Sequence, residues 1–137
     1  VKVFFDSSSF AKRFIQEEGS ETVDLICQEA KALGLSVICF PEIVSALNRK
    51  LREKNFNRQS YVKIKHQLAE DIRDIQVVNL LPAVIEQSIL LLESNVLRSL
   101  DALHVACAME WQTDLFVSSD TRQIRAAENA GLRTKYI

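Results

Sequence analysis

The chain opens on a run that leaves little choice of fold. Val1-Lys2-Val3-Phe4-Phe5 is short, apolar and β-prone, with no polar alternation to mark a solvent-facing side. A strand of that kind is buried on both faces, as in a parallel sheet. It ends abruptly in Asp6, followed by Ser7, Ser8 and Ser9. Ser8 or Ser9 is expected to cap a helix that starts almost at once. Asp6 then stands where a central strand hands over to a helix, the edge at which ligands bind in open α/β sheets.

The same alternation continues along the chain. Phe10, Phe14 and Ile15 give a short helix ending near Glu18-Gly19, and Ser20 starts another whose stripe is Val23, Ile26, Cys27, Ala30 and Leu33, closed by Gly34. Leu35–Phe40 reads as a second strand, with Pro41 at the first position of a helix running to about Lys54. After the Asn55-Phe56-Asn57 turn, Tyr61, Ile64, Leu68, Ile72 and Ile75 mark a long helix, and Gln76–Leu80 a third strand. A helix over Val84–Val96 follows, then one over Leu100–Met109 capped by Ser99 and apolar nearly all round, hence buried. Leu115–Ser119 is a fourth strand, Thr121–Ala130 a helix closed by Gly131, and Leu132–Ile137 a last edge strand. Strands alternating with helices predict an α/β fold, a three-layer α/β/α sandwich with a mainly parallel central sheet.

Bulk properties narrow the function classes. At 137 residues the chain suits one domain over 1–137, and only 3 Gly and 2 Pro leave no room for a flexible linker. No apolar run approaches the roughly 20 residues of a membrane span and no signal-peptide pattern opens the chain, so a cytoplasmic protein is expected. Cys27, Cys39 and Cys107 are odd in number and widely spaced, which favours buried reduced thiols over disulfides or zinc. A formal net charge of −1 excludes a wholesale basic surface, so any nucleic-acid contact needs a local patch.

Four acids fall at the same edge of this framework. Asp6 ends the first strand, Glu42 follows the second, Asp101 lies in the first turn of the buried helix and Asp120 follows the fourth strand. Singly, each has a plain structural reading: Asp6 and Asp120 as helix caps, Glu42 and Asp101 as complements to helix dipoles. Together they would repel unless something positive sat among them. An oxygen-only cluster selects Mg²⁺ or Mn²⁺ rather than zinc, and such ions activate water and stabilise charge on a phosphate. The chemistry indicated is metal-assisted phosphodiester hydrolysis. Ser7 and Ser118 place hydroxyls beside these acids, either orienting a carboxylate or making turn hydrogen bonds. His104 lies nearly one turn after Asp101 and is expected to be a satisfied core histidine rather than a base or ligand.

Phe5-Asp6-Ser7-Ser8, Pro41-Glu42-Ile43-Val44-Ser45-Ala46-Leu47, Leu97–Ala106 around Asp101, and Leu115-Phe116-Val117-Ser118-Ser119-Asp120 together resemble the PIN-domain ribonucleases, most closely the VapC-like toxins. The resemblance covers nearly the whole chain. It implies a PIN-like fold, Asp6, Glu42, Asp101 and Asp120 as the metal-binding and catalytic set, an RNA substrate, a homodimer and a small antitoxin protein that masks the site. Ser118 stands where the family often has Thr. Some members carry one more acid after the last Asp, where this chain has Thr121 and Arg122, so the number of metals, one or two, stays open.

A local basic run, Arg49, Lys50, Arg52, Lys54 and Arg58, is either a solvated helix face or a track for an RNA backbone; Lys12 and Arg13 lie near Asp6 in sequence. Lys12, Arg13, Arg49 and Arg52 are the candidate RNA contacts. A HAD-type phosphatase needs a second acid two residues after the first, where Ser8 stands, and a response-regulator receiver needs paired early acids and a late Lys. A PIN-like module that binds RNA or protein without cleaving it remains the alternative.

Overall fold

The computed structural model describes residues 1–137 and arranges them as five strands and seven α-helices. In chain order these are β1 (Lys2–Phe5), α1 (Ser7–Phe10), α2 (Ser20–Glu29), β2 (Ala32–Ser36), α3 (Cys39–Arg52), α4 (Arg58–Asp71), β3 (Gln76–Val78), α5 (Pro82–Ser94), α6 (Ser99–Glu110), β4 (Leu115–Ser118), α7 (Thr121–Asn129) and β5 (Thr134–Tyr136). Short 3₁₀ turns extend α1 over Ala11–Arg13 and α4 over Ile72–Asp74. All strand pairs are parallel, in the order β3-β2-β1-β4-β5.

β1 is central, and its two-residue side-chain period divides the core. Val3 and Phe5 point into one layer, with Val23, Ile43, Leu47 and Leu68 from α2, α3 and α4. Phe4 points into the other, with Val84, Leu91, Ala102, Val105 and Ala127 from α5, α6 and α7. Its register partner on β4 is Phe116, and the two rings lie 6.2 Å apart between centroids. Both faces of the sheet are therefore covered, as the unbroken apolar run of β1 requires.

Several boundaries differ from expectation, each for a physical reason. β2 occupies Ala32–Ser36 instead of 35–40, because it pairs along β1 from Lys2↔Ala32 to Phe5↔Leu35. Gly34 is thus mid-strand and does not close α2, which ends where Ala30 turns extended (φ −68°, ψ 138°). A Cβ on Gly34 would come within 2.7 Å of the Trp111 ring, so the missing side chain lets the end of α6 press on the sheet. α3 begins at Cys39, and Pro41 is its third residue; first-turn N–H groups lack intrahelical partners, so the missing donor there is harmless. Asp6, not Ser8 or Ser9, caps α1, and the segment after Arg13 is not helical up to Gly19. Arg98 is the cap residue of α6 and makes no side-chain capping bond, while Ser99 is the first helical residue. β3 and β5 are shorter than their apolar runs, three residues each.

What matters for function is the connectivity. From β1 the chain first builds outward to β2 and β3, then returns to the other side of β1 as β4 and β5. The reversal lies between β1 and β4. In open α/β sheets a crevice forms at the carboxyl ends of the strands flanking such a reversal.

Candidate active site

Asp6, Glu42, Asp101 and Asp120 all line one cavity of about 320 Å³ at that carboxyl edge. Asp6 leaves β1, Asp120 leaves β4 by way of Ser118 and Ser119, and Glu42 and Asp101 sit in the first turns of α3 and α6. Ser7, Ser8, Arg49, Arg98, His104 and Gln123 complete most of the wall.

Asp6 is the most constrained of the four, with only 1% of its surface exposed. One carboxylate oxygen, Oδ1, accepts from the Ser9 N–H (3.0 Å) and Ser9 Oγ (2.7 Å). The other, Oδ2, accepts from Ser8 Oγ (2.7 Å) and Ser118 Oγ (2.8 Å). Four donors satisfy a buried carboxylate and hold it in one orientation. The plain capping reading is therefore correct as geometry, and it does not compete with a role in the cavity. Ser118 also accepts from the Asp120 N–H (2.9 Å), so one hydroxyl ties two of the four acids together.

Glu42 accepts from Ser7 Oγ at 2.6 Å and pairs with His104 Nε2 at 2.5 Å, both on Oε1. Burial alone would raise its pKa, but the hydrogen bonds from His104 and Ser7 and the charges of His104 and Arg98 outweigh burial and hold the carboxyl below its ordinary value of 4.5. Asp101 accepts from Gln123 Nε2 (3.1 Å) on one oxygen and from Arg98 Nε (3.3 Å) on the other. Asp120 caps α7 through the Arg122 N–H (2.9 Å). The repulsion expected of four acids is thus offset in part by Arg98, His104 and the serine hydroxyls.

His104 corrects the sequence reading. It is buried, yet it faces the acids, touching Glu42 and lying 3.1 Å from Ser7 Oγ, while its Nδ1 has no partner. The signal was its spacing of three residues from Asp101, which puts both on neighbouring faces of α6. Arg98 and Gln123 are not singled out by the sequence, and Ser8 and Ser9 only as helix caps. Their roles arise from contacts across the sheet or between α6 and α7, which sequence spacing does not encode.

The basic candidates separate. Arg49 is exposed and lines the cavity. Lys12 donates to the Glu18 carbonyl (2.8 Å) and pairs with Glu17, and Arg13 is bound to Asp71 at 2.7 Å. Arg52 is exposed at the end of α3, about 15 Å along the helix from Glu42. All three thiols are free, and burial pushes the pKa of the Cys39 thiol up to about 12, opposed by a hydrogen bond with Ser7 and assisted to a lesser degree by the charges of Asp6 and Glu42.

The donor set fits a hard cation. It is all carboxylate, and Glu42 Oε2 and Asp120 Oδ2 accept no hydrogen bond from the protein. As the side chains stand, no three acids or histidines gather closely enough to form a ready-made cage. Mg²⁺ does not require one, since it commonly keeps several waters and takes one or two carboxylates.

The PIN domain family model matches residues 3–129. The chain belongs to the PIN-domain family. The neighbouring solved structures are VapC toxins and related toxin–antitoxin proteins. VapC20 of Mycobacterium tuberculosis, a sarcin-ricin-loop-cleaving toxin, is similar over 90% of this chain and 94% of its own, at 17% identity and a TM-score of 0.68. A toxin–antitoxin complex from Klebsiella pneumoniae is similar over 98% of this chain and 99% of that one, at 15% identity and a TM-score of 0.72. FitAcB from Neisseria gonorrhoeae gives 12% identity over 96% and 95%, with a TM-score of 0.70. At such identities these similarities establish the PIN-like fold. No curated protein sequence matches the chain significantly.

Proposed function

We propose that the chain is a metal-dependent endoribonuclease that hydrolyses RNA phosphodiester bonds and serves as the toxin of a toxin–antitoxin pair. The observation that carries this reading is the convergence of Asp6, Glu42, Asp101 and Asp120 on one cavity at the reversal point of the sheet. These four carboxylates would hold Mg²⁺ or Mn²⁺, which when bound supplies water activation and stabilises the charge developing on phosphate. The protein's own contribution is placement. Ser8, Ser9 and Ser118 fix Asp6, Ser7 and His104 orient Glu42, and Gln123 and Arg98 brace Asp101. Such supporting bonds keep metal-binding carboxylates at productive angles. Arg49 at the cavity wall is the basic residue best placed to meet a substrate phosphate.

An antitoxin partner is supported by the toxin–antitoxin complexes among the structural neighbours. For a homodimer the support is a stripe of exposed apolar residues, Leu81, Ile85, Ile89 and Leu92, at the start of and along α5. A cytoplasmic location agrees with three free thiols. No helix is long and apolar enough to cross a membrane.

The test is cleavage of structured and single-stranded RNAs with Mg²⁺, Mn²⁺ or EDTA, comparing wild type with Asp6→Asn and Asp101→Asn. Metal-dependent cleavage lost in both variants is expected. Cleavage that survives EDTA, or both substitutions, would refute the mechanism. Tight RNA binding with no cleavage under any metal would assign the chain to the non-catalytic binding modules instead.

A further inference from the structure

We propose that the groove between the end of α5 and the exposed face of α7 binds the phosphate backbone of single-stranded RNA, with Arg122 and Arg125 as the phosphate-contacting residues. This rests on the ribonuclease reading and extends it to how the substrate is gripped beyond the reacting phosphate.

The groove is about 600 Å³, and its walls include Asn95, Val96 and Glu93 on one side and Arg122, Arg125 and Asn129 on the other. Both arginines are exposed, and neither guanidinium makes an ion pair or hydrogen bond, whereas Arg13 and Arg98 are paired with Asp71 and Asp101. Two unpaired guanidiniums on successive turns of one short helix repel each other unless an anion lies between them. Glu93 is the single acid of the groove, so its lining is net positive in a chain whose overall formal charge is −1.

Both walls lead in sequence to residues of the acidic cavity. Asn95 and Val96 lead through Leu97 to Arg98 and Asp101, and Arg122 stands two residues after Asp120, to which its own N–H is bonded. On this proposal, a strand with one phosphate among the four acids would lay its adjoining backbone over Arg122 and Arg125. Guanidiniums suit this task, because they meet phosphate oxygens through paired donors and can stack on unpaired bases. The lining of the groove contains no aromatic side chain, and its contacts are of the backbone-tracking kind, which tolerate sequence. A single strand is favoured because Asp6 and Asp101, 1% and 7% exposed, are recessed, and a flexible backbone reaches them more readily than a stiff duplex.

The experiment compares wild type, Arg122→Gln/Arg125→Gln and a control, Lys63→Gln/Lys65→Gln, which removes the same charge from the exposed face of α4. Binding of a fluorescent single-stranded RNA of about 12 nucleotides is followed by anisotropy in EDTA, and cleavage of the same RNA in Mg²⁺ and Mn²⁺. The groove variant should bind about tenfold or more weakly, with the slope of log K against log salt reduced by about 1.4 for two lost phosphate contacts. Its KM should rise at little-changed kcat, and the control should stay within about twofold of wild type. Wild-type affinity and KM in the groove variant, or equal losses in the control, would overturn the proposal while leaving the ribonuclease reading intact. Displacement of the RNA by polyglutamate but not by polyuridylate would also overturn it and assign the groove to an acidic protein. A wild type that neither binds nor cleaves RNA overturns both readings.

Discussion

Asp6 is both a helix cap and a member of the acidic set, and two substitutions separate those roles. Asp6→Ala removes the acceptor of the Ser9 N–H, a capping loss of about 0.5–2 kcal/mol. It also leaves the fully buried Ser118 hydroxyl without its acceptor, about 1–3 kcal/mol more. Ser9 Oγ keeps the Val117 carbonyl at 2.8 Å, so its loss is small. The sum is about 1.5–5 kcal/mol. Asp6→Asn behaves differently. Its carbonyl can retain the Ser9 N–H, and its amide then faces the hydroxyls of Ser8 and Ser118, which can turn to accept. Weaker neutral hydrogen bonds are offset by relief of repulsion from Glu42, Asp101 and Asp120, so we expect a net change within about 1 kcal/mol. Urea unfolding followed by emission of the single Trp111 measures both. With a slope of about 2 kcal/mol/M, the Ala midpoint should drop by roughly 0.8–2.5 M and the Asn midpoint by about 0.5 M or less. RNA cleavage by Asp6→Asn should nonetheless fall about 100-fold or more, because several kcal/mol of metal-dependent stabilisation is lost. If Asn destabilises as much as Ala, the charge itself holds the network; if Ala melts like wild type, the network holds nothing. Either outcome refutes this reasoning.

Further expectations follow from other contacts. Gly34→Ala drives a Cβ to within 2.7 Å of the Trp111 ring, and should destabilise by about 1–3 kcal/mol with a shift of Trp111 emission in the native state. Glu42, held below its ordinary pKa in the fold, contributes stability that is present above the unfolded value near 4.5 and lost as pH falls through the lower folded value. Urea melts from pH 6 to 3 should therefore show a shallower acid limb in Glu42→Gln than in wild type; identical limbs would contradict that shift. Burial raises the pKa of Cys27, Cys39 and Cys107, so an aromatic disulfide reagent at pH 8 should react slowly with the native protein and rapidly with all three thiols in denaturant.

The layering and the acidic edge were legible because they rest on local pattern. The unbroken apolar run of β1 required cover on both faces, and each acid followed a strand or opened a helix. Boundaries set by pairing were not legible. β2 slid toward the N-terminus because its register is fixed against β1, and Gly34, read as a helix stop, is instead the place where Trp111 meets the sheet. His104 was misread because an apolar helix hides which polar residue faces a cavity; its partner Glu42 is 62 residues away. Lys12 and Arg13, near Asp6 in sequence, are held by Glu17, Glu18 and Asp71, while Arg122, read only as a departure from a family pattern, lines the groove between α5 and α7.

The central claim is that the four carboxylates at the β1/β4 edge hold a hard divalent cation. Anomalous diffraction from crystals soaked in Mn²⁺ tests it without reference to any substrate. The account predicts a peak in the cavity between Asp6, Glu42, Asp101 and Asp120, with oxygen ligands at roughly 2.0–2.2 Å, absent from Asp101→Asn crystals soaked identically. A peak elsewhere on the molecule with none in this cavity, or an unchanged peak in Asp101→Asn, would contradict it.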